Sequence, residues 1–476
     1  MALSSKLPSE VPSVRRGRDP LRSPAAAQRE PVWSTLVFLA VVTVPFQYAL
    51  TIDVGSPVKV SEILLVLALA ARLLSPGSTR TRVPGLGFVV LLAVALVVSG
   101  LYWLGFAGPV RGLDFTGYTR SPSTDLLFYT AFGLFALLGW WMFSQLGRDR
   151  FERAIILSIW LAGAATLLQF VGALLGLETL LADLGFRSTG GSNLSVTGVN
   201  LRSGPFLEGQ HLGFYAGAAL LIALKRRSWL PAIVAALLVF YSQSTTAVLG
   251  IVVAGAILFL LRPHVRVLAA ILSLTLLVGG LAAFVAPVRQ FVINQAAKLG
   301  LVSQTAEFRF AGLSFDVREE KASIGAQMGI DHLALGVGPG RFGAWFSQYA
   351  DYTVLPAYYR TTDLRPIAEN VYLQIFAEMG VLALIGLIGL LLVLLVRALR
   401  ATPIVFAIGV CVAVGLWTQS SWTFLPIWVF LAYVGVAASD PDVDRKAAVA
   451  VPERPSRVPS DRLWRSGSSA ARRPSR

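Results

Sequence analysis

The sequence predicts an all-α polytopic membrane protein with about twelve transmembrane helices and a long, partly helical outer loop. Three observations carry that expectation. Apolar residues make up 55% of the 476-residue chain and charged residues only 14%, whereas a soluble domain carries about 25% charged residues. The apolar residues stand in long unbroken runs and lack the alternation that marks a half-buried helix or strand. Lysine and arginine gather in the short segments between those runs. A water-soluble enzyme and a disordered or collagen-like chain are excluded, and the mean hydropathy of +0.67 agrees. The net charge of +15 reads as a topology signal, and no nucleic-acid partner is expected, because the basic residues sit in clusters between hydrophobic spans.

A hydrocarbon core of about 30 Å takes roughly 20 apolar residues per helix. Runs that satisfy this, or nearly so, cover residues 33–50, 59–74, 84–107, 125–146, 153–176, 206–224, 229–241, 245–261, 266–287, 371–397, 402–417 and 421–437. Polar residues precede the first run and no small-residue cleavage site follows it, so that run is expected to remain as an anchor. With the amino terminus inside, the inner segments hold 28 lysines and arginines and the outer ones 13, of which eight lie in the single long connection 288–370. Long connections are largely exempt from the positive-inside rule. Both termini are therefore expected in the cytoplasm, which requires an even number of spans.

Residues 1–32 and 438–476 are rich in Pro, Ser, Arg and Ala without apolar period, and read as disordered basic tails that set topology and touch anionic membrane lipids. The membrane domain is 33–437. Its outer connections 177–205 and 288–370 exceed turn length, and loops of that size are usually functional or disordered. The second contains an expected helix, 314–333, with Asp316 and Glu319 at N-cap and N3 positions and an apolar set at Val317, Ile324, Met328 and Leu333.

One cysteine, Cys411, and three scattered histidines, His211, His264 and His332, offer neither a disulfide framework nor a metal cluster, so no metal and no cofactor is expected. Ion-coupled transporters carry ionisable groups near the midplane. Here the acidic residues at the spans are Glu62, Asp125, Glu208 and Glu378, each toward an end, and no internal repeat relates the halves. A membrane enzyme with its site under the outer loop fits better than a polysaccharide or lipid transporter or flippase. A non-catalytic component of an envelope-assembly complex is the third possibility.

Residues 335–343, Leu-Gly-Val-Gly-Pro-Gly-Arg-Phe-Gly, precede Glu-Asn-Val-Tyr-Leu-Gln-Ile-Phe-Ala-Glu-Met-Gly at 369–380. Together they resemble the hallmark region of the bacterial O-antigen ligase/polymerase family. Upstream, Arg202-Ser-Gly-Pro-Phe-Leu-Glu208 resembles that family's Arg…Gly-x-Phe segment before a transmembrane helix. Ser242-Gln-Ser-Thr resembles its Ser-rich helix start, without the arginine often found there. The likeness spans roughly residues 190–435. It implies a metal-independent membrane glycosyltransferase of the bacterial cytoplasmic (inner) membrane, acting at its outer face in cell-surface polysaccharide biosynthesis. The implied partners are a glycan on undecaprenyl diphosphate as donor and a glycan, lipid or protein hydroxyl as acceptor.

Displacing a lipid diphosphate from an anomeric carbon needs an activated hydroxyl, stabilisation of the charge growing on the diphosphate, and positioning. Arginine suits the second task, because its planar fork binds phosphate oxygens in pairs. Arg202, Arg309, Arg318 and Arg341 are the candidates. The connection 288–370 also balances eight basic against eight acidic residues, so paired surface charge is the plain alternative. The glycine run at 336–340 is either a tight turn needing positive φ or part of a phosphate cradle. Members of the resembled family have histidine where this chain has Glu369. A carboxylate there can take the acceptor's proton, or Glu369 and Asn370 can simply cap the next helix. Glu208 is the alternative base, and His211 one turn on reads as packing. Asn370, Gln374 and Glu378 share one helix face, either as a cavity wall, with Asn370 and Gln374 touching substrate, or as interhelical hydrogen bonding.

Overall fold

The computed structural model describes residues 30–53, 57–75, 83–106, 122–186, 202–263, 276, 279–298, 309–353, 355 and 366–439. The basic tails and most of the expected span 266–287 lie outside the described residues. In chain order the helices are α1 (Val32–Val42), α2 (Val60–Leu73), α3 (Leu86–Phe106), α4 (Pro122–Phe143), α5 (Arg148–Leu174), α6 (Glu178–Asp183), α7 (Gly209–Lys225), α8 (Trp229–Ser242) and α9 (Thr245–Leu261). They continue with α10 (Ala286–Lys298), α11 (Arg309–Asp331), α12 (Phe342–Tyr349), α13 (Val371–Ala401), α14 (Pro403–Leu416) and α15 (Leu425–Ala437). A two-residue antiparallel pair, Ile52–Asp53 with Pro57–Val58, precedes α2.

The protein is an all-α membrane protein. Among the described residues four helices are long and apolar enough to cross a membrane: Leu86–Leu104 of α3, Ser123–Phe143 of α4, and the whole of α5 and α13. Helices α1, α8, α9, α14 and α15 are shorter and apolar. On α3, Val90, Val94, Val98 and Leu101 form a stripe that is 45–63% exposed. Such a stripe would be an adhesive patch in water and is ordinary against lipid tails. Helix α15 shows the opposite case, with every residue from Leu425 to Gly435 buried, as expected of a helix apolar all round and surrounded by protein.

Two helix limits differ from the sequence expectation. Helix α1 stops at Val42 and not near residue 50, where Pro45 lacks the amide needed to continue. The outer-loop helix begins at Arg309 and not at 314. Asp316 and Glu319 therefore stand inside α11, away from the free amides that a cap would satisfy.

A buried ionic knot fixes one end of the bundle. Glu152 of α5 accepts from Arg148 Nε at 3.2 Å, Arg226 Nη1 at 3.3 Å and Tyr433 Oη at 3.1 Å, and also from Lys225 Nζ. Isolated burial of the carboxylate would cost several kcal/mol, and this many donors offset it. The knot clamps the C-terminal end of α7 to α5 and α15. The first residues of α7, about 25 Å away at 1.5 Å per residue, are thereby set at the opposite end of the bundle, where the functional candidates lie.

Candidate functional site

The glycine-rich turn is built against a break in a membrane helix. Gly380 has φ 78° and ψ −172° inside α13, which interrupts the hydrogen-bond ladder and frees backbone groups on either side. Val337 N donates to Ala377 O at 2.8 Å, Gly338 N to Glu378 O at 2.9 Å, and Val381 N to Leu333 O at 2.8 Å. On α3, Trp103 Nε1 binds Gly336 O at 2.8 Å and Ser99 Oγ binds Leu335 O at 2.6 Å. The φ values of Gly336, Gly338 and Gly340 are 64°, 102° and 70°. The run is thus a tight turn of positive φ, one of the two readings the sequence allowed, and it latches the connection between α11 and α12 to α13.

Glu378 closes that latch. Its carboxylate accepts from Trp422 Nε1 at 2.8 Å, Gly340 N at 3.0 Å and Gln374 Nε2 at 3.1 Å. Asn370 is the N-cap of α13, accepting from Leu373 N at 3.1 Å. The polar stripe Asn370, Gln374 and Glu378 is fully buried and is held by hydrogen bonds within the protein.

A second polar centre lies at the head of α13. Arg318 of α11 donates from Nε to Glu369 Oε2 at 2.6 Å and from Nη2 to Gln210 Oε1 at 2.9 Å. Lys321, three residues on and so on the same helix face, donates to Glu369 Oε1 at 2.7 Å. Gln210 stands in the first turn of α7 beside Gly209, over which the Arg202 side chain runs. A Cβ on residue 209 would meet Arg202 Cγ at 3.0 Å and Ser242 O at 2.4 Å, so glycine permits this approach of α7 to the end of α8. Immediately after Ser242, Gln243 adopts φ 54° and presents its carbonyl to Gln295 Nε2 at 3.3 Å and Lys298 Nζ at 3.1 Å. Segments far apart in sequence thus bring Arg202 and Lys298 close to Arg318, which with Lys321 holds Glu369.

Electrostatics distinguish the members. Burial pushes the Glu369 carboxyl up, but the charges and hydrogen bonds of Lys321 and Arg318 outweigh it and hold it below the usual carboxylate range. Burial, with Arg202 and Arg318 close by, brings the Lys298 ammonium down to about 7. Glu369 makes both ion pairs from a left-handed backbone, φ 51°, which costs a non-glycine residue on the order of 1 kcal/mol and persists where surrounding contacts over-determine it. Glu208 occupies the N-cap position of α7 without capping it. Its carboxylate is half-buried and makes no hydrogen bond or ion pair among the described residues. It lies close enough to His211 to act on the imidazole electrostatically, as does Glu369. His211 itself is buried, bonded to Ser420 Oγ at 2.6 Å and stacked on Phe424.

Of the residues singled out in the sequence, Arg202, Glu208, Arg318 and Glu369 come together here. Arg341 does not. It is buried with its guanidinium 5.8 Å from the Trp103 ring centroid, next in sequence to Gly340, whose amide binds Glu378 further along α13 from Glu369. Asn370 and Gln374 are engaged as cap and brace. Arg309 is the first residue of α11, and its side chain lies outside the described residues. Lys321, Lys298 and Gln210 were not singled out. Lys321 was legible in principle as the i+3 neighbour of Arg318, while Lys298 carries no local signal. Among the described residues no group of three or more His, Cys, Asp or Glu side chains is placed to hold a metal ion.

A family model described as O-antigen ligase matches residues 230–388, a segment that contains Lys298, Arg318, Lys321 and Glu369 but not Arg202 or Glu208. No curated protein matches the chain. Residues 230–388 are thus similar to the O-antigen ligase family, a likeness that points to glycan transfer in cell-surface polysaccharide synthesis.

Proposed function

We propose that this protein moves or polymerises a glycan from an undecaprenyl-diphosphate donor onto a glycan, lipid or protein hydroxyl at the outer face of the cytoplasmic membrane. In this reading it has twelve spans, both termini cytoplasmic, and the segments 177–205 and 288–370 outside. The single observation that carries the proposal is the convergence of Arg202 and Lys298 on Arg318 and Lys321, near Glu208, whose carboxylate has no hydrogen-bond or ion-pair partner among the described residues. The donor's diphosphate oxygens are the ligand such a set suits, because charge-assisted bonds to arginine are strong and directional.

The acceptor hydroxyl gives its proton to Glu208, and its oxygen forms the new bond to the anomeric carbon. The bond from that carbon to the diphosphate breaks, and the lipid diphosphate leaves with the electron pair toward the cations, which stabilise it as preorganised electrostatic groups do. Glu369 is a positioning residue in this scheme. Both its oxygens are occupied by cations, which makes it a poor proton acceptor and a good anchor for Arg318 and Lys321. No cofactor takes part in the scheme.

Purified protein in liposomes, given undecaprenyl-diphosphate oligosaccharide and an acceptor, tests the proposal. New glycosidic bonds are expected. Movement of donor across the bilayer without bond formation would instead identify a transporter.

A further inference from the structure

Lys298 differs from the other cations of the pocket in what it touches. Lys321 and Arg318 share the Glu369 carboxylate at 2.7 and 2.6 Å. Lys298 has a backbone carbonyl, Gln243 O at 3.1 Å, and Gln295 bonds to the same oxygen. Among the described residues it forms no ion pair. It ends α10 with Asn294, Gln295 and Ala297 buried behind it, and its nearest charged influences are the like charges of Arg202 and Arg318. On the elements around it, Lys321 and Arg318 share the Glu369 carboxylate, Glu319, Glu320 and Asp331 also lie on α11, and Glu208 and His211 stand at the head of α7. Tyr241 at the end of α8 is neutral, and Arg289 lies on its own helix.

Arg202 and Arg318 already repel a further positive charge at Lys298. A dianionic ligand reverses that sign, since it brings attraction where there was repulsion. We propose that Lys298 is a proton-linked cation of this anion site, gaining a proton when the lipid diphosphate binds. The inference rests on the donor-site reading above. Its level of about 7 without ligand places the linkage in the physiological range. The sign follows from linkage. Below about pH 7 Lys298 is already charged and binding needs no proton. Above it, each bound ligand takes up one proton, so affinity falls about tenfold per pH unit until the ligand-bound value is reached.

The test is titration calorimetry of the full chain in nanodiscs with a short-chain prenyl methyl diphosphate diester, whose charge is constant across the neutral range. Binding is measured at pH 6 to 9 in buffers of differing ionisation enthalpy. Wild type is expected to take up close to one proton per ligand at pH 8 and to lose affinity with rising pH. Lys298→Arg keeps the cation permanently charged and is expected to bind with little proton uptake and little pH dependence. Lys298→Met is expected to bind more weakly at pH 6 and also without uptake. Wild-type binding with no proton uptake, or uptake that persists in both variants, overturns the assignment while leaving the donor-site reading intact. Ligand binding unaffected by Arg318→Ala overturns the donor-site reading itself.

Discussion

Arg318 and Glu369, 51 positions apart in sequence, meet at 2.6 Å between Nε and Oε2, and Glu369 makes this contact from a left-handed backbone with φ 51°. The pair ties α11 to the head of the long apolar helix α13, near the point where the Arg202 segment also arrives. With both carboxylate oxygens engaged, the second by Lys321 at 2.7 Å, Glu369 orients two cations at once.

Glu369→Gln should therefore act on ligand affinity and stability more than on the chemical step. Losing a hydrogen bond to a charged group costs about 1.5–3 kcal/mol. The Arg318 side chain is 38% exposed and Lys321 only 5%, so the screened Arg318 pair contributes little of this and the Lys321 pair most. The expected result is a raised KM for donor and a lowered melting temperature, with the shape of the kcat–pH profile unchanged. Loss of kcat by more than a hundredfold at normal KM would restore Glu369 as the base.

The same pair sets an acid limit. The folded-state carboxyl of Glu369 lies below its ordinary value of 4.5, so its contribution to stability is complete above that value and is lost as pH falls through the depressed one. Melting temperatures of wild type and Glu369→Gln should differ at pH 6 and draw together as the pH falls below the ordinary carboxylate range and through the depressed value. A gap that stays constant across that range would show that the ion pairs contribute nothing to folding.

Much of the membrane frame was legible because apolar runs are written directly in composition. The expected runs 84–107, 229–241, 245–261, 402–417 and 421–437 each coincide with a helix within a few residues. The glycine turn was legible as a turn, since Gly336, Gly338 and Gly340 all take positive φ. What it docks on was not, because the break at Gly380 sits in a run that reads as one continuous span. The resemblance motifs pointed to Arg202, Arg318, Glu208 and Glu369, and these converge. Lys298 was hidden because its role depends on a contact with Gln243 across 55 positions. Arg341 lies on Trp103 apart from Glu369, a placement not legible in sequence, where a motif arginine beside glycines reads the same whatever it packs on.

Gly336→Ala should unlatch the loop. A Cβ there would stand 2.3 Å from Glu378 C and 2.4 Å from Met379 N, with φ at 64°, and backbone atoms give way poorly. Destabilisation of about 1–3 kcal/mol is expected, with loss of activity. Gly87→Ala, where a Cβ meets nothing within 4 Å, should be neutral or slightly stabilising. Equal melting temperatures for the two variants would refute the latch.

The proposed orientation is accessible to single-cysteine labelling, since Cys411 is the chain's one cysteine and is buried. In a Cys411→Ser background, a cysteine at Thr353 should react with an impermeant reagent applied from outside, and one at Ser460 should not. The reverse pattern would invert the topology and place the cation pocket on the cytoplasmic face.

The last test concerns the base. Glu208 stands at the first turn of α7, two residues from Gln210, which holds Arg318 at 2.9 Å, and six from Arg202. In the proposed scheme it takes the acceptor's proton. Glu208→Gln removes the proton acceptor while keeping shape and hydrogen-bonding capacity. Turnover should fall by roughly a hundred- to ten-thousandfold, with affinity for a diphosphate diester within about twofold of wild type, because the cations remain in place. Glu208→Asp should recover part of the activity. The two carboxylates then separate cleanly in one set of measurements: Glu369→Gln moves KM and binding, whereas Glu208→Gln moves kcat. A Glu208→Gln enzyme that binds and turns over normally would leave the acceptor to lose its proton directly to water, and the pocket would act through its cations alone.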